Sequence, residues 1–236
     1  MEFTYAAYRD LITLLKNEGY RFCGYFDHEG RDKRVILRHD IDYSMERAFK
    51  LAQVEQEEGV RSTYFALLRT DFYNPASISA YKALHSIVDL GHNIGLHFDE
   101  TVYNYDHRSM EYYISKEARI LSELLEVEIN SFSLHRPNAV TLETELEIPG
   151  FVNSYSEEFF QNFKYVSDSR RRWREPVEEI IQSEAYRRLH ILTHAFWYHQ
   201  EERGLKETIS DFIKVAGEDR RTYLSENITD LDSILK

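Results

Sequence analysis

The amino-acid sequence predicts an α/β protein built on a parallel sheet or barrel. Predicted strands and helices alternate about six or seven times along the chain. Candidate strand ends fall near residues 38, 67, 96, 134, 167 and 193, a spacing of 26 to 38 residues that suits βα units. The sequence contains no Gly-rich dinucleotide fingerprint and no P-loop, so the two commonest nucleotide motifs of open α/β sheets are not predicted.

The first elements follow from apolar spacing and stop signals. Apolar residues on one stripe predict a helix over 4–18, which Gly19 ends. A short strand is expected over 20–26, a polar turn over 28–33, and a β-branched strand at 35–37. Ser44 then has the side chain of an N-cap for a helix over 45–58.

The same reasoning extends along the rest of the chain. Further strands are predicted over 62–67, 93–96, 131–134, 164–167 and 189–193. Further helices are predicted over 77–89, 109–125, 177–187, 204–217 and 220–234. The segment 139–163 fits neither pattern, apart from a turn at Pro149 and Gly150.

Length and charge limit the kind of protein. The 236 residues, with no linker or repeat, predict one domain over 1–236. A net charge of −12 disfavours nucleic acid and anionic membranes as partners. The lone Cys23 excludes an intrachain disulfide and a thiolate zinc cluster. Without a signal-peptide pattern or an 18-residue apolar run, a cytoplasmic protein with no membrane insertion is expected.

Titratable residues stand at the ends of five predicted strands, where α/β barrels place their chemistry. They are His39-Asp40-Ile41-Asp42, His97-Phe98-Asp99, His135-Arg136, Asp168 and His194. Asp40 and Asp42 are two residues apart and point the same way on an extended segment, so a cation or a proton between them would relieve their repulsion. The alternative is that both carboxylates cap the helix that follows.

Each remaining residue also has a structural alternative. His97 suits a metal ligand or a core histidine, and Arg136 suits a carboxylate clamp or a structural ion pair. His194 suits a general acid or a surface histidine. The run Arg170 to Arg174 suits an anion clamp or a solvated turn, and Trp173 within it suits a sugar platform.

Taken together, these motifs resemble the polysaccharide deacetylase family, also known as the NodB-homology or carbohydrate esterase 4 family. The resemblance covers about residues 33–200, followed by the C-terminal helices over 204–234. The segments that carry it are Asp40-Ile41-Asp42, Gly91-His92-Asn93-Ile94-Gly95-Leu96-His97, Arg136-Pro137, Asp168 with Trp173, and Leu192-Thr193-His194. The fold it implies is a distorted (β/α)7 barrel.

The resemblance also implies site roles and a cofactor. Asp40 matches the catalytic base, Arg136 the residue that orients it, and His194 the general acid, with Asp168 beside it. Asp42 and His97 match ligands of one divalent metal ion, zinc or else cobalt, nickel or manganese. Trp173, Trp197, Arg171 and Arg172 are the expected substrate-binding residues.

One position departs from the family pattern. The family has a second histidine four residues after the first, where this sequence has Thr101. Because three protein ligands plus water is the usual catalytic zinc arrangement, a third ligand is needed. Asp99, Glu100 and His135 are the candidates, and His39 and His135 both lie outside the common pattern.

The expected function is metal-dependent hydrolysis of the N-acetyl amide of a sugar. The expected setting is a cytoplasmic step in the biosynthesis of a surface polysaccharide such as an O-antigen or lipopolysaccharide, on a nucleotide-linked or lipid-linked substrate. Two alternatives stay open. One is a non-catalytic carbohydrate-binding or scaffold relative with a degraded metal site, and the other is a hydrolase of another C–N bond.

Overall fold

The structure is a computed structural model that describes residues 1–103, 109–143 and 146–235. The chain forms two compact units, Met1–Gln200 and Glu201–Lys236. No helix of the described residues is long and apolar enough to cross a membrane.

The first unit contains one sheet in which every strand pair is parallel. The strands are β1 (Arg21–Cys23), β2 (Arg34–Ile41), β3 (Thr63–Leu67), β4 (Asn93–Asp99), β5 (Ser131–His135), β6 (Val152–Asn153), β7 (Lys164–Ser167) and β8 (Arg188–Thr193). Their order across the sheet is β6-β5-β4-β3-β2-β8-β7, and β1 pairs with the start of β2. The sheet curls into a half-barrel, and within the described residues no pairing joins β6 to β7. The predicted α/β class with a distorted barrel is confirmed.

Helices alternate with these strands. They are α1 (Tyr5–Asn17), α2 (Met45–Glu57), α3 (Ile78–Asp89), α4 (Met110–Leu125), α5 (Ala139–Glu143) and α6 (Val177–Gln182) in the first unit. The Ser44 side chain accepts a hydrogen bond from the backbone N–H of Arg47, which confirms the predicted N-cap of α2. Short 3₁₀ turns follow two strands, at Glu100–Val102 after β4 and at Ala195–Trp197 after β8.

The centre of the sheet lies at β2, whose eight residues are all buried. A strand covered on both faces needs no alternation of polar and apolar residues, and β2 accordingly contains the consecutive apolar residues Val35, Ile36 and Leu37. The strand continues through Ile41, four residues beyond the predicted end, so Asp40 lies inside the strand and Asp42 directly follows it. Because β2 is longer than predicted, the carboxylates of Asp40 and Asp42 lie at the C-terminal edge of the sheet.

Several predicted boundaries are wrong, each for a local reason. The helix predicted over 177–187 ends at Gln182, and Glu184 adopts a left-handed backbone with φ 56° before β8 begins. The unassigned segment 139–163 contains α5, β6 and a π-helix at Glu158–Asn162, and its residues 144 and 145 lie outside the described residues.

The second unit consists of α7 (Leu205–Ser225) and α8 (Leu231–Ile234). One long helix replaces the predicted break near residue 218, because a single interior glycine, Gly217, costs a helix only about 1 kcal/mol. An ion pair between Arg221 and Asp232 links the two helices.

Candidate metal centre and active site

Four strands deliver titratable side chains to the C-terminal edge of the sheet. Asp42 follows β2, His97 lies near the end of β4, His135 ends β5, and His194 follows β8. The register of β4 and β5 fixes the positions of these residues along the strands. His97 is the direct partner of Ser133, and Asp99 is the direct partner of His135. The predicted meeting of these strand ends at one edge is therefore observed.

Three of these residues place one ligand atom each in a tight triangle. The Asp42 Oδ1 atom lies 3.3 Å from His97 Nε2 and 3.4 Å from His135 Nδ1. The two imidazole nitrogens are 3.1 Å apart. One carboxylate and two histidines therefore converge, and each offers one ligand atom for a cation.

The residues of this triangle fit a divalent transition metal. Tetrahedral zinc with bonds of about 2.1 Å places neighbouring ligand atoms about 3.4 Å apart, close to the three observed separations. The Asp42 Oδ1 atom is buried and has no hydrogen-bond partner, which is a costly state for a carboxylate oxygen unless a cation satisfies it. Two imidazoles and a carboxylate are also the nitrogen and oxygen donors that zinc and its neighbours accept.

Electrostatics keep the triangle ready for a cation. Burial alone would raise the pKa of Asp42, but the imidazoles of His135 and His97 outweigh it and hold the pKa well below its usual range. The carboxylate is therefore ionised at neutral pH. The Nδ1 atom of His97 shares a 2.7 Å hydrogen bond with the Ser133 hydroxyl, which orients the ring so that Nε2 faces Asp42.

Among the three candidates for the third ligand, the geometry favours His135. The Asp99 carboxylate is occupied elsewhere, accepting hydrogen bonds from the N–H and hydroxyl of Thr101 and from Arg136. The Glu100 carboxylate accepts hydrogen bonds from Asn138 and Thr141 at the start of α5. Thr101 serves to fix Asp99, so the position where the family has a histidine contributes no ligand here.

The predicted base Asp40 is held by Arg38, which is not among the predicted site residues. Arg38 donates two hydrogen bonds to it, from Nε to Oδ1 at 2.9 Å and from Nη2 to Oδ2 at 2.8 Å. Arg38 is fully buried between the rings of Phe65 and Tyr155, whose centroids lie 5.4 and 4.7 Å from its Cζ. Burial alone would raise the pKa of Asp40, but the Arg38 guanidinium reverses the effect and lowers it.

The expectation that Arg136 orients Asp40 is not met by the geometry. Arg136 instead donates a 2.9 Å hydrogen bond to Asp99, and its side chain is 70% exposed. The physical reason is its position: Arg136 follows the last residue of β5 and has a left-handed backbone with φ 51°, so it leaves the direction of the strand. The negative charge of Asp40 is already balanced by Arg38, which lies on the same strand, β2.

His194 is held as predicted beside Asp168. Its Nδ1–H donates to Asp168 Oδ1 at 2.7 Å, and its backbone N–H donates to the same carboxylate. The Tyr198 hydroxyl donates to Oδ2 of Asp168 at 3.3 Å. Burial would lower the pKa of His194, but the Asp168 carboxylate outweighs it and raises the pKa to about 9. The Nε2 atom lies 3.9 Å from Asp42, at the edge of the triangle.

The predicted substrate-binding residues lie on two loops at this edge. Arg171 and Arg172 follow β7, and Arg172 is exposed while the Arg171 guanidinium lies 5.2 Å from the centre of the Phe3 ring. Trp173 is half-buried on the same loop, and the Nε1 atom of its indole has no hydrogen-bond partner. These contacts do not bring Arg171 into the metal triangle.

The predicted Trp197 belongs to an aromatic cluster after β8 and β2. Its ring centre lies 4.9 Å from that of Phe196 and 6.2 Å from that of Tyr43, the residue after Asp42. Phe72, which is 51% exposed, packs edge-on against Tyr43 with ring centres 4.9 Å apart. These rings form an aromatic wall that begins at Tyr43, the residue after the metal-site Asp42.

Two histidines prominent in the sequence lie away from the site. His39 alternates with Asp40 on β2, and its Nε2–H donates to the buried Glu55 at 2.8 Å. Tyr8, Ser62 and Tyr64 also donate to Glu55. His92 is buried beside Ser62, with its Nε2 3.0 Å from the carbonyl of residue 52. Both histidines belong to a structural network behind the sheet.

Comparison with known proteins gives a fold-level likeness. No protein-family model matches the chain, and no curated protein matches it. Fourteen chains of solved structures do match. The fold resembles that of carbohydrate esterase family 4.

Three of these structures illustrate the likeness. A family 4 carbohydrate esterase from Bacillus anthracis aligns with a TM-score of 0.46 and 16% identity over 90% of this chain and 86% of its own. The Xyl-CE4 domain of a multidomain xylanase from the hindgut metagenome of Trinervitermes trinervoides gives a TM-score of 0.46 and 14% identity, over 80% of this chain and 85% of its own.

The third structure is a family 4 pseudoenzyme from Bacillus anthracis, with a TM-score of 0.44 and 14% identity over 81% of this chain. The match covers 63% of that protein, so this chain spans less than two thirds of its length.

Proposed function

We propose that this protein is a metal-dependent hydrolase that removes the acetyl group from an N-acetylated sugar. The observation that carries the proposal is the triangle of Asp42, His97 and His135, flanked by a carboxylate on one side and an imidazole on the other. The names of the family 4 esterases with a similar fold agree with a carbohydrate substrate.

Asp42 Oδ1, His97 Nε2 and His135 Nδ1 would hold the metal. A divalent metal ion bound there supplies a Lewis acid that polarises a carbonyl and lowers the pKa of a bound water. Zinc fits the donor set, and cobalt, nickel and manganese are the other candidates.

Asp40 is placed to accept a proton beside the triangle. Its Oδ2 atom lies 3.7 Å from His97 Nε2, so a water between the carboxylate and the ligand atoms is within its reach. Arg38 fixes both oxygens of Asp40 and keeps the carboxylate ionised. In the proposed reaction Asp40 takes the proton of the water that attacks the amide carbonyl.

His194 is placed to give a proton to the leaving amine. Asp168 fixes the proton on Nδ1 and stabilises the cation, so Nε2 carries the second proton toward the triangle. Breaking the C–N bond leaves acetate and an amino sugar, and water supplies the oxygen and both protons. The two groups therefore divide the acid and base roles across the metal site.

A cleft formed mainly by the loop after β3 offers space for the sugar. Its volume is about 430 Å³, and its wall includes Arg69, Asn74 and Tyr73. The Tyr73 hydroxyl donates a 2.7 Å hydrogen bond to the carbonyl of Ile41, the residue before Asp42, which ties the cleft to the metal site. We place the sugar ring in this cleft, with the aromatic wall of Tyr43, Phe72 and Trp197 at its side.

The finer parts of the function belong to the same proposal. Arg172 and Trp173 on the loop after β7 suit a substrate with an anionic group, as in a nucleotide-linked or lipid-linked sugar. A cytoplasmic step in the assembly of a surface polysaccharide such as an O-antigen would use such a donor. Activity toward a nucleotide-linked N-acetyl sugar, compared with the free sugar, tests this part.

The deciding experiment measures metal content and acetate release together. Purified protein, as isolated and after zinc loading, is assayed on N-acetylglucosamine oligomers and on UDP-N-acetylglucosamine. We expect about one metal ion per chain and acetate release that Asp40→Asn abolishes while the metal remains bound. The matched control is Asp89→Asn, a change at the end of α3 away from the site.

Other outcomes identify the alternatives. Metal binding without acetate release, but with hydrolysis of a formamide or a cyclic amide, would replace the proposal with a hydrolase of another C–N bond. Failure to bind zinc, combined with binding of a glycan, would replace it with a carbohydrate-binding relative.

A further inference from the structure

A second cavity lies at the opposite end of the sheet from the metal triangle. Its volume is about 860 Å³, within the range of about 300–1,000 Å³ for small-molecule sites. Its wall includes Lys164 and Arg188, the first residues of β7 and β8. Because His194 follows the last residue of β8, the length of the strand separates the two sites by about 20 Å.

The cavity is cationic in a chain whose net charge is −12. Four basic side chains and one carboxylate line it, namely Arg31, Asp32, Lys164, Arg187 and Arg188. Three of these charges are balanced: Asp32 lies 3.8 Å from Arg34, Lys164 2.6 Å from Glu175, and Arg188 3.0 Å from Glu158.

Two arginines of the cavity are not balanced. Arg187 donates a 2.6 Å hydrogen bond to the backbone carbonyl of Arg31, so its guanidinium lies against the backbone of that residue. Neither has a carboxylate partner within the part of the chain that the structure describes. Two guanidinium groups in the wall of one cavity, neither of them paired with a carboxylate among the described residues, favour an anion with several oxygens, such as a phosphate or a diphosphate.

The same cavity has an aromatic side. Tyr186 is 39% exposed at the wall, and the Lys164 ammonium lies 5.5 Å from the centre of its ring. Phe160 stacks on Tyr165 with ring centres 4.3 Å apart. Phe160 projects from the π-helix Glu158–Asn162, a type of element that often occurs at functional sites. A planar ring can therefore stack here next to the two arginines.

We propose that this cavity binds a nucleoside diphosphate. Arg31 and Arg187 contact the diphosphate, and Tyr186 stacks on the base. The ligand has both required parts, several negative charges and a planar ring, and a base stacked on an aromatic side chain gains about 1–3 kcal/mol. The site is separate from the proposed hydrolytic centre and does not depend on that function.

Calorimetric titration of the full chain with ADP, in the presence of EDTA, tests the proposal. We expect one ADP per chain, with weaker binding of adenosine and of inorganic pyrophosphate. Arg31→Ala/Arg187→Ala should weaken ADP binding about tenfold or more, the scale of a lost charge-assisted contact. Tyr186→Ala should weaken it as well, and the exposed Arg119→Ala on α4 should leave it unchanged.

Three results would overturn the proposal. The first is the absence of saturable ADP binding at concentrations up to about 5 mM. The second is equal binding by wild type and the double variant, with circular dichroism showing both folded. The third is binding that survives in the double variant but disappears in His97→Ala, which would locate the nucleotide at the metal triangle.

Discussion

Arg38 and Asp40 stand two residues apart on the same strand and are joined by two hydrogen bonds of 2.9 and 2.8 Å. Alternate residues of a strand share a face, so the pair forms within β2 and needs no contribution from a loop. The ion pair is buried, and its carboxylate is the proposed base.

The first prediction concerns the stability of this pair. Arg38→Gln should lower the free energy of unfolding by about 3–5 kcal/mol, because it leaves the Asp40 charge buried without a partner. In Arg38→Gln/Asp40→Asn the loss should be smaller than the sum of the two single losses. Urea denaturation of wild type, Arg38→Gln, Asp40→Asn and the double variant measures the coupling energy between the two side chains.

Arg136→Ala is the matched control. Its side chain is 70% exposed, so its loss should change stability by no more than about 1 kcal/mol. Additive effects of the Arg38 and Asp40 changes would contradict the importance assigned to the pair.

The second prediction separates the candidates for the third metal ligand. His135→Ala should reduce zinc affinity by at least about 100-fold, because it removes one corner of the triangle. Asp99→Asn should retain stoichiometric zinc, since the Asp99 carboxylate is engaged with Thr101 and Arg136. Elemental mass spectrometry and competition with a chelator measure both. Loss of zinc in Asp99→Asn with retention in His135→Ala would reverse the assignment.

The third prediction concerns the protonation of His194. Its pKa is raised to about 9, so in metal-free protein the imidazole should remain cationic below that pH. Asp168→Asn removes the largest charge that opposes burial, so the pKa should fall from about 9 toward the usual value of about 6.5, while Asp42 and Asp40 still act to raise it. Activity should drop about 100-fold or more with the loss of a positioned acid.

NMR titration of the imidazole resonances in metal-free protein follows this pKa directly. Tyr198→Phe is the control, because it removes only a 3.3 Å hydrogen bond to Asp168 and keeps the carboxylate. An unchanged pKa in Asp168→Asn would show that another group holds the proton.

The fourth prediction is a pH dependence of stability that arises from His190. This buried imidazole accepts a 2.8 Å hydrogen bond from Tyr25 and its Nδ1–H donates to the carbonyl of Phe159. Burial lowers its pKa to about 3, with the Arg38 cation adding to the effect. The unfolded chain therefore binds a proton near pH 6.5 that the folded chain does not, and stability should fall as pH drops from about 6.5 toward 3.

In His190→Gln this dependence should flatten between pH 6 and about 4.5. Urea denaturation at several pH values gives the slope, which is compared with that of wild type whatever the absolute stability of the variant. The pKa of Glu55 is lowered to about 2, because His39 opposes its burial, so its own contribution is lost only below about pH 4.5. An identical slope in both proteins would exclude His190 as the source.

The fifth prediction compares two glycines. A Cβ on Gly95 of β4 would lie 2.4 Å from Phe65 and 2.8 Å from the Ser131 hydroxyl, so Gly95→Ala should cost about 1–3 kcal/mol of stability. Gly217 in α7 has open space around it, and Gly217→Ala should stabilise by about 0.5–1 kcal/mol. Thermal unfolding of the two variants gives the two signs, and a stable Gly95→Ala protein would contradict the close packing of β3 on β4.

The sequence predicted the order of the strands along the chain but not their order across the sheet. Periodicity and turn residues located β3, β4, β5, β7 and β8 within a few residues, because buried parallel strands are short apolar runs. The exact end of β2 was not predictable, since Arg38, His39 and Asp40 read as polar and the tertiary structure keeps them in the strand. The opening between β6 and β7 depends on contacts that no local pattern encodes.

The candidate site was predicted in part for a similar reason. Asp40, Asp42, His97 and His194 lie at or just after the ends of the predicted strands and so were found from their positions. His135 stayed one of several candidates, because a choice among them requires distances. The function of Arg38 was missed, although the spacing Arg-x-Asp on a strand was a signal that both side chains share a face.

The ligand triangle has a consequence for the stability of the folded protein in the cell. Asp42 and His135 are 93 positions apart in the chain, and their atoms approach within 3.4 Å only after β2, β3, β4 and β5 have paired in register. An unfolded chain has no such preassembled site, so an ion that occupies the triangle binds the native state more tightly than the unfolded chain and stabilises it by mass action. Cellular metal supply would then govern how much of this protein survives proteolysis, before it governs how fast any substrate turns over.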